Sequence, residues 1–220
     1  MKKFSSERFL EIFLWFVSLS MGLSLLLTLK DMIFEAKNEA FLALEIVLGI
    51  VIVLLPKLIA KIFKLYLPPV LYIFFALFIY GSVYLGTIYH FYSVVLYWDK
   101  GLHLLSGALL GGFSLSVAGA LLDKTVIRRL SPLFLSLYSV AFAVFCGVLW
   151  EFYEFTCDSF GMNLQRYMQN GHLLLGRAAL MDTMGDLIAD FIGAVLFACF
   201  IYRQVKKNDS WLTTFFFHKL

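Results

Sequence analysis

"MDTMGDLIADFIGAVLFACFIY", residues 181–202, decides how this chain folds. The stretch is long and apolar enough to cross a bilayer, yet it carries Asp182, Asp186 and Asp190. Acids four residues apart lie along one stripe of a helix. A carboxylate in hydrocarbon costs about 2.5–3.5 kcal/mol on insertion scales, so such a stripe faces other protein or a watery cavity, not lipid. The segment therefore predicts a membrane helix bundle with a polar interior.

Composition agrees. The chain has 220 residues, of which 61% are hydrophobic and 15% charged. A soluble domain of this size has too little polar surface to cover that much apolar side chain. Apolar runs at 9–29, 40–60, 68–90, 101–122, 132–154 and 181–202 read as six spans. Pro56 and the pair Pro68-Pro69 blur two of these boundaries. The expected fold is all-α: a polytopic membrane bundle of about six transmembrane helices, forming a single integral membrane domain over 1–220. The first apolar run follows Met1-Lys2-Lys3 without a small-residue cleavage site and reads as a first span, not a signal peptide. Cys146, Cys157 and Cys199 lack paired spacing and read as buried free thiols. A net charge of +3 offers nothing to a nucleic-acid partner.

Basic residues orient the spans. Lys2, Lys3, Arg8, then Lys57, Lys61, Lys64, then Lys124, Arg128, Arg129, and finally Arg203, Lys206, Lys207 and Lys219 fall on one side. The other side holds Lys30, Lys37, Lys100, Arg166 and Arg177. Both termini are thus expected to be cytoplasmic. "YHFYSVVLYW" (89–98) reads as an aromatic belt at the outer interface. The polar stretch between about Asp158 and Leu180 is expected to turn at Asn170-Gly171 and to lie over the outer mouth as a short interfacial helix or lid.

With that orientation the acids gather in the outer half. Asp99 and His103 are four apart at the start of the fourth span, with Ser106 on the same face. Glu151, Glu154 and Asp158 close the fifth, and Asp182, Asp186 and Asp190 enter the sixth. Seven of the fifteen acids lie in these three stretches, facing Lys100, Arg166 and Arg177 as local cations. Glu45, near the outer start of the second span, is a further candidate. Seven carboxylates cannot all stay ionised side by side without protons, pairing or a cation. An oxygen-rich set with one imidazole suits Mg, Mn or Ca and admits Zn or Fe. Plainer roles exist for some members: a solvated pair for Asp99 and Lys100, a loop position for Asp158, a satisfied core histidine for His103. Gly107, Gly111, Gly112 and Gly193 point to close helix packing.

The order "DKGLH" (99–103), "GVLWEFYE" (147–154) and then Gly176-Arg177, Asp186, Asp190 and Gly193-Ala194 resembles the VanZ-like membrane families, and most closely the YjdF-type bacterial inner-membrane proteins. The resemblance covers about residues 95–200. The matching positions are Asp99, Lys100 and His103; Glu151; and Arg177, Asp186, Gly193 and Ala194. Glu154 stands where those sequences usually have Gln, and Asp190 where they usually have Asn. The resemblance implies a multi-pass protein of the bacterial plasma membrane with an envelope role, VanZ itself being associated with teicoplanin resistance.

Three functions fit these residues. One is a metal-dependent enzyme acting from the extracytoplasmic side on a lipid or lipid-linked envelope substrate. Its catalytic candidates are Glu151, Asp186 and His103. Asp99, His103, Glu151, Glu154, Asp182, Asp186 and Asp190 are the candidate ligands of a divalent metal, and Arg177 and Lys100 would bind substrate. Signatures such as His-Glu-x-x-His and Gly-x-Ser-x-Gly are absent from the sequence. The second is a cation- or proton-coupled transporter, against which stands the lack of a matching relay in the cytoplasmic half, where Glu11 is the one acid within the six spans. The third is a non-catalytic lipid-binding factor with a structural ion cluster. Expected partners are membrane lipids and a lipid-linked substrate, with homodimerisation open and no nucleic acid.

Overall fold

The computed structural model describes residues 6–35 and 39–219; Lys2, Lys3 and Lys37, counted above for orientation, lie outside them. Among the described residues, six helices are long and apolar enough to cross a membrane: α1 (Ser6–Phe34), α2 (Ala40–Phe63), Pro69–Ile88, α5 (Trp98–Leu121), α7 (Pro132–Asp158) and α8 (Arg177–Lys207). The third begins as α3 (Pro69–Ile79) and widens into a π-helix over Tyr80–Ile88. Shorter pieces connect them: α4 (Phe91–Val94), α6 (Lys124–Arg129), a 3₁₀ turn at Asp209–Phe215, and two-residue strands β1 (Leu65–Tyr66), β2 (Met168–Gln169), β3 (His172–Leu173) and β4 (His218–Lys219). Each expected span corresponds to one long helix. Large apolar side chains such as Trp15, Leu19, Phe145, Phe155 and Leu196 are exposed on these helices, as lipid-facing residues are.

Contacts divide the chain into two compact units, Met1–Asp99 with Phe215–Leu220, and Lys100–Thr214. In the first, Leu14, Val17, Met21, Ile46, Val53, Tyr72 and Ala76 form the buried core. Pro56 sits inside α2 and withdraws one backbone donor from it. Close by, the Tyr72 hydroxyl donates to the Val53 carbonyl at 2.9 Å. The π-helical stretch turns Tyr84 towards α1, where its hydroxyl donates to Ser20 O at 2.9 Å and lies 2.7 Å from Ser24 Oγ. β4 pairs antiparallel with β1, tying the end of the chain to this unit.

The second unit packs through small residues. α5 and α8 approach so closely that a Cβ on Gly107 would collide with the Asp190 carbonyl, and one on Gly193 with the Leu104 carbonyl. Without a hydrophobic drive between helices in lipid, such backbone proximity and interhelical hydrogen bonds supply the association. Ser139 donates to Gly111 O at 2.8 Å and Ser136 to Ala198 O at 3.1 Å. α7 starts with Pro132 at its first position and Ser131 capping Phe134 N–H at 3.1 Å.

The α7–α8 connection differs from the expected short helix. Residues 159–176 hold no helix; they form a β2–β3 hairpin around Asn170 (φ 50°) and Gly171 (φ 77°). Two successive positive-φ residues are what a two-residue hairpin turn demands, and Asn-Gly adopts them readily. The connection folds back on Asp158, whose carboxylate accepts from Leu164 N at 2.5 Å and Gln165 N at 3.0 Å.

Candidate functional site

The polar residues meet at one end of the second unit, where α5 begins, α7 ends and α8 begins. The i, i+4 spacing on α8 puts Asp182, Asp186 and Asp190 on the face turned to α5, whose Lys100, His103 and Ser106 lie on successive turns of a matching face. Lys100 Nζ lies 2.8 Å from Asp182 Oδ1 and 2.7 Å from Asp186 Oδ1, and also donates to the Asp182 carbonyl at 3.2 Å. His103 stands between the next two acids, with Nε2 3.4 Å from Asp186 Oδ1 and Nδ1 3.2 Å from Asp190 Oδ2. The Ser106 hydroxyl is 2.5 Å from Asp190 Oδ1 and 2.8 Å from the His103 carbonyl. Arg166 NH1, from the α7–α8 connection, reaches within 3.7 Å of Asp182 Oδ1.

Every acid of the α8 stripe thus has a basic neighbour, and two of the three are shared. The two inner acids of the stripe are buried: the Asp182 side chain is 12% exposed, Asp186 1% and Asp190 3%. Gly147 on α7 makes room for Asp190, since a Cβ there would stand 2.7 Å from Asp190 Oδ2.

Glu151, at 4% exposure, enters from α7. Its Oε2 accepts from the Gln165 amide at 3.3 Å. Its Oε1 is buried and has no hydrogen-bond partner among the described residues. Thr183, His103 and Asp182 are its neighbours in this corner of the unit. A buried carboxylate oxygen without a donor is costly unless a proton, a water or a cation meets it.

Asp99, His103 and Asp186 could hold a metal ion: each offers one ligand atom, and the three atoms lie within 4.8 Å of one another. The unit boundary falls within the first turn of α5, so Asp99 is fixed relative to His103 by the helix they share.

The other candidates make different contacts. Glu154 Oε1 accepts from the indole N–H of Trp150 on its own helix at 2.8 Å. Arg177 is the exposed first residue of α8, with no ion pair among the described residues. Asp158 is engaged in clamping the connection. Gln165 and Thr183 belong to the corner but carry no spacing signal; Gln165 is brought in by an irregular loop that periodicity does not describe.

A protein of Thermotoga maritima, described as an uncharacterized protein, is 30% identical over 129 residues, which is 58% of this chain and 59% of that relative. The chain therefore matches less than two thirds of that relative's length. No solved structure matches it. The six helices agree with a family model that matches residues 13–207, nearly the whole chain, and the protein belongs to the family described as "Predicted membrane protein (DUF2238)".

Proposed function

We propose that the corner formed by α5, α7 and α8 is a divalent-cation centre in the outer half of a bacterial plasma membrane, acting on a lipid or lipid-linked envelope substrate. The observation that carries this reading is the convergence of Asp99, His103 and Asp186 ligand atoms within 4.8 Å. A second, independent one is Glu151 Oε1, buried and without a hydrogen-bond partner among the described residues. Asp99, His103 and Asp186 would hold the ion, with Glu151 beside them. Two carboxylates and an imidazole suit Mg, Mn, Zn or Fe, and Ca once more oxygens join. Such an ion supplies a Lewis acid for a phosphoryl or acyl oxygen.

The chain's own residues would do the rest. Lys100 and Arg166 converge on Asp182, and an anionic headgroup arriving there would exchange for that carboxylate. Arg177, exposed at the start of α8, would meet the substrate further out. Glu151, held on one oxygen by Gln165, keeps the other for a proton or a water. The resemblance of the ordered polar elements to VanZ-like and YjdF-type sequences supports an envelope role, and the basic-residue asymmetry supports an extracytoplasmic site.

A proton- or cation-coupled transporter is the second reading. What favours it is the unbroken alternation Asp182–Lys100–Asp186–His103–Asp190–Ser106, a chain of the kind proton relays use. Elemental analysis of wild type, Asp186→Asn and Glu151→Gln, paired with ion flux in liposomes, separates the two. Stoichiometric metal without flux supports the enzyme; flux lost in both variants with no metal bound supports transport.

A further inference from the structure

We infer that Asp190 acts through His103, holding its ring with the hydrogen on Nδ1 so that Nε2 is presented to the cation side of the site. This rests on the cation-centre reading for what Nε2 meets, though not for the tautomer itself. Asp190 is 2% exposed and both of its oxygens are engaged by protein: Oδ2 with His103 Nδ1 at 3.2 Å, Oδ1 with Ser106 Oγ at 2.5 Å. Gly147 closes over Oδ2, and the Asp190 backbone rests against Gly107. The carboxylate is therefore fixed by helix packing, with no oxygen turned outward.

An ionised carboxylate only accepts hydrogen bonds, so the ring nitrogen facing it carries the hydrogen. Nε2 lies 3.4 Å from Asp186 Oδ1 and on the side of the triplet with Asp99, where a bound cation would take the place of any hydrogen on it. Metal-binding histidines commonly donate their second N–H to a carboxylate, which sets both ring orientation and basicity. Asp190 is in this sense a positioning residue, Ser106 holds its second oxygen, and the direct ligands are Asp99, His103 and Asp186.

The test uses the full chain in lipid nanodiscs with ¹⁵N-labelled histidine. Among the four histidines, His103 is assigned by the signal missing in His103→Gln. Wild type is expected to show His103 protonated at Nδ1, and with Zn²⁺ bound to keep that hydrogen while Nε2 loses its own. Asp190→Ala should lose that fixed tautomer, and Ser106→Ala, a milder change, should weaken it in the same direction. Titration with Zn²⁺ should show about 10–100-fold weaker binding in Asp190→Ala at unchanged stoichiometry. A His103 ring bare at Nδ1, or a tautomer unmoved in both variants, overturns the inference. A wild type that binds no Zn²⁺ yet shows the Nδ1–H tautomer defeats the cation reading alone.

Discussion

Lys100 Nζ lies 2.7 Å from Asp186 Oδ1, and the Asp186 side chain is 1% exposed while that of Lys100 is 25% exposed. The pair joins a nearly dry acid on α8 to a partly solvated base on α5. Lys100 also reaches Asp182, so one ammonium holds two turns of the neighbouring helix. Removing one partner of a buried pair strands the other, at about 3–5 kcal/mol. Lys100→Met should therefore lower stability by about that amount, and adding Asp186→Asn should restore part of the loss. Thermal unfolding in detergent reads both; equal losses in the single and double variants would contradict the pairing.

Close backbone approach between α5 and α8 makes a second prediction. Gly107→Ala places a methyl group against the Asp190 carbonyl, backbone that cannot swing away. Overpacking of this kind costs about 1–3 kcal/mol. Gly101→Ala, six residues before Gly107 on the same helix, meets nothing within 4 Å. It should be neutral or stabilising by up to about 1 kcal/mol, because alanine loses less backbone freedom. A Gly107→Ala protein that melts with Gly101→Ala would show that the helices stand further apart.

The Asp158 carboxylate clamps the connection that carries Gln165 and Arg166. Asp158→Ala removes the acceptor for the Leu164 and Gln165 amides, and their hydrogen exchange should accelerate, with a stability loss of about 1–3 kcal/mol. Asp158→Asn retains an acceptor oxygen and should fall between. Unchanged exchange at both amides in the alanine variant would count against the clamp.

Orientation is open to chemical labelling. A cysteine at Asn170, on the exposed hairpin turn, should react with a membrane-impermeant maleimide from outside intact cells, in a background lacking the native cysteines. Labelling only after permeabilisation would reverse the topology and move the site to the cytoplasmic side.

The spans could be read from sequence because hydrophobic length alone marks a helix in a bilayer, and the α8 stripe because a four-residue spacing fixes one face. Asn170-Gly171 announced its turn for the same reason, that few residues tolerate two positive φ angles. What could not be read depends on details without a periodic signature. One extra residue per turn makes Tyr80–Ile88 π-helical, yet no residue type marks the change. Gln165 reaches Glu151 from an irregular loop, and Glu154 bonds the Trp150 indole on its own helix instead of continuing the row set by Glu151. Spacing names a face; it does not say which neighbour a rotamer finds.

In the proposed centre Asp99, His103 and Asp186 hold a divalent cation. Elemental analysis of the purified protein, after exposure to Mg, Mn, Ca, Zn and Fe in turn and removal of excess, measures this most directly. One equivalent of at least one metal is expected in wild type and its loss in Asp186→Asn, with the variant still folded by circular dichroism. Folded wild-type protein that retains none of these metals would contradict it.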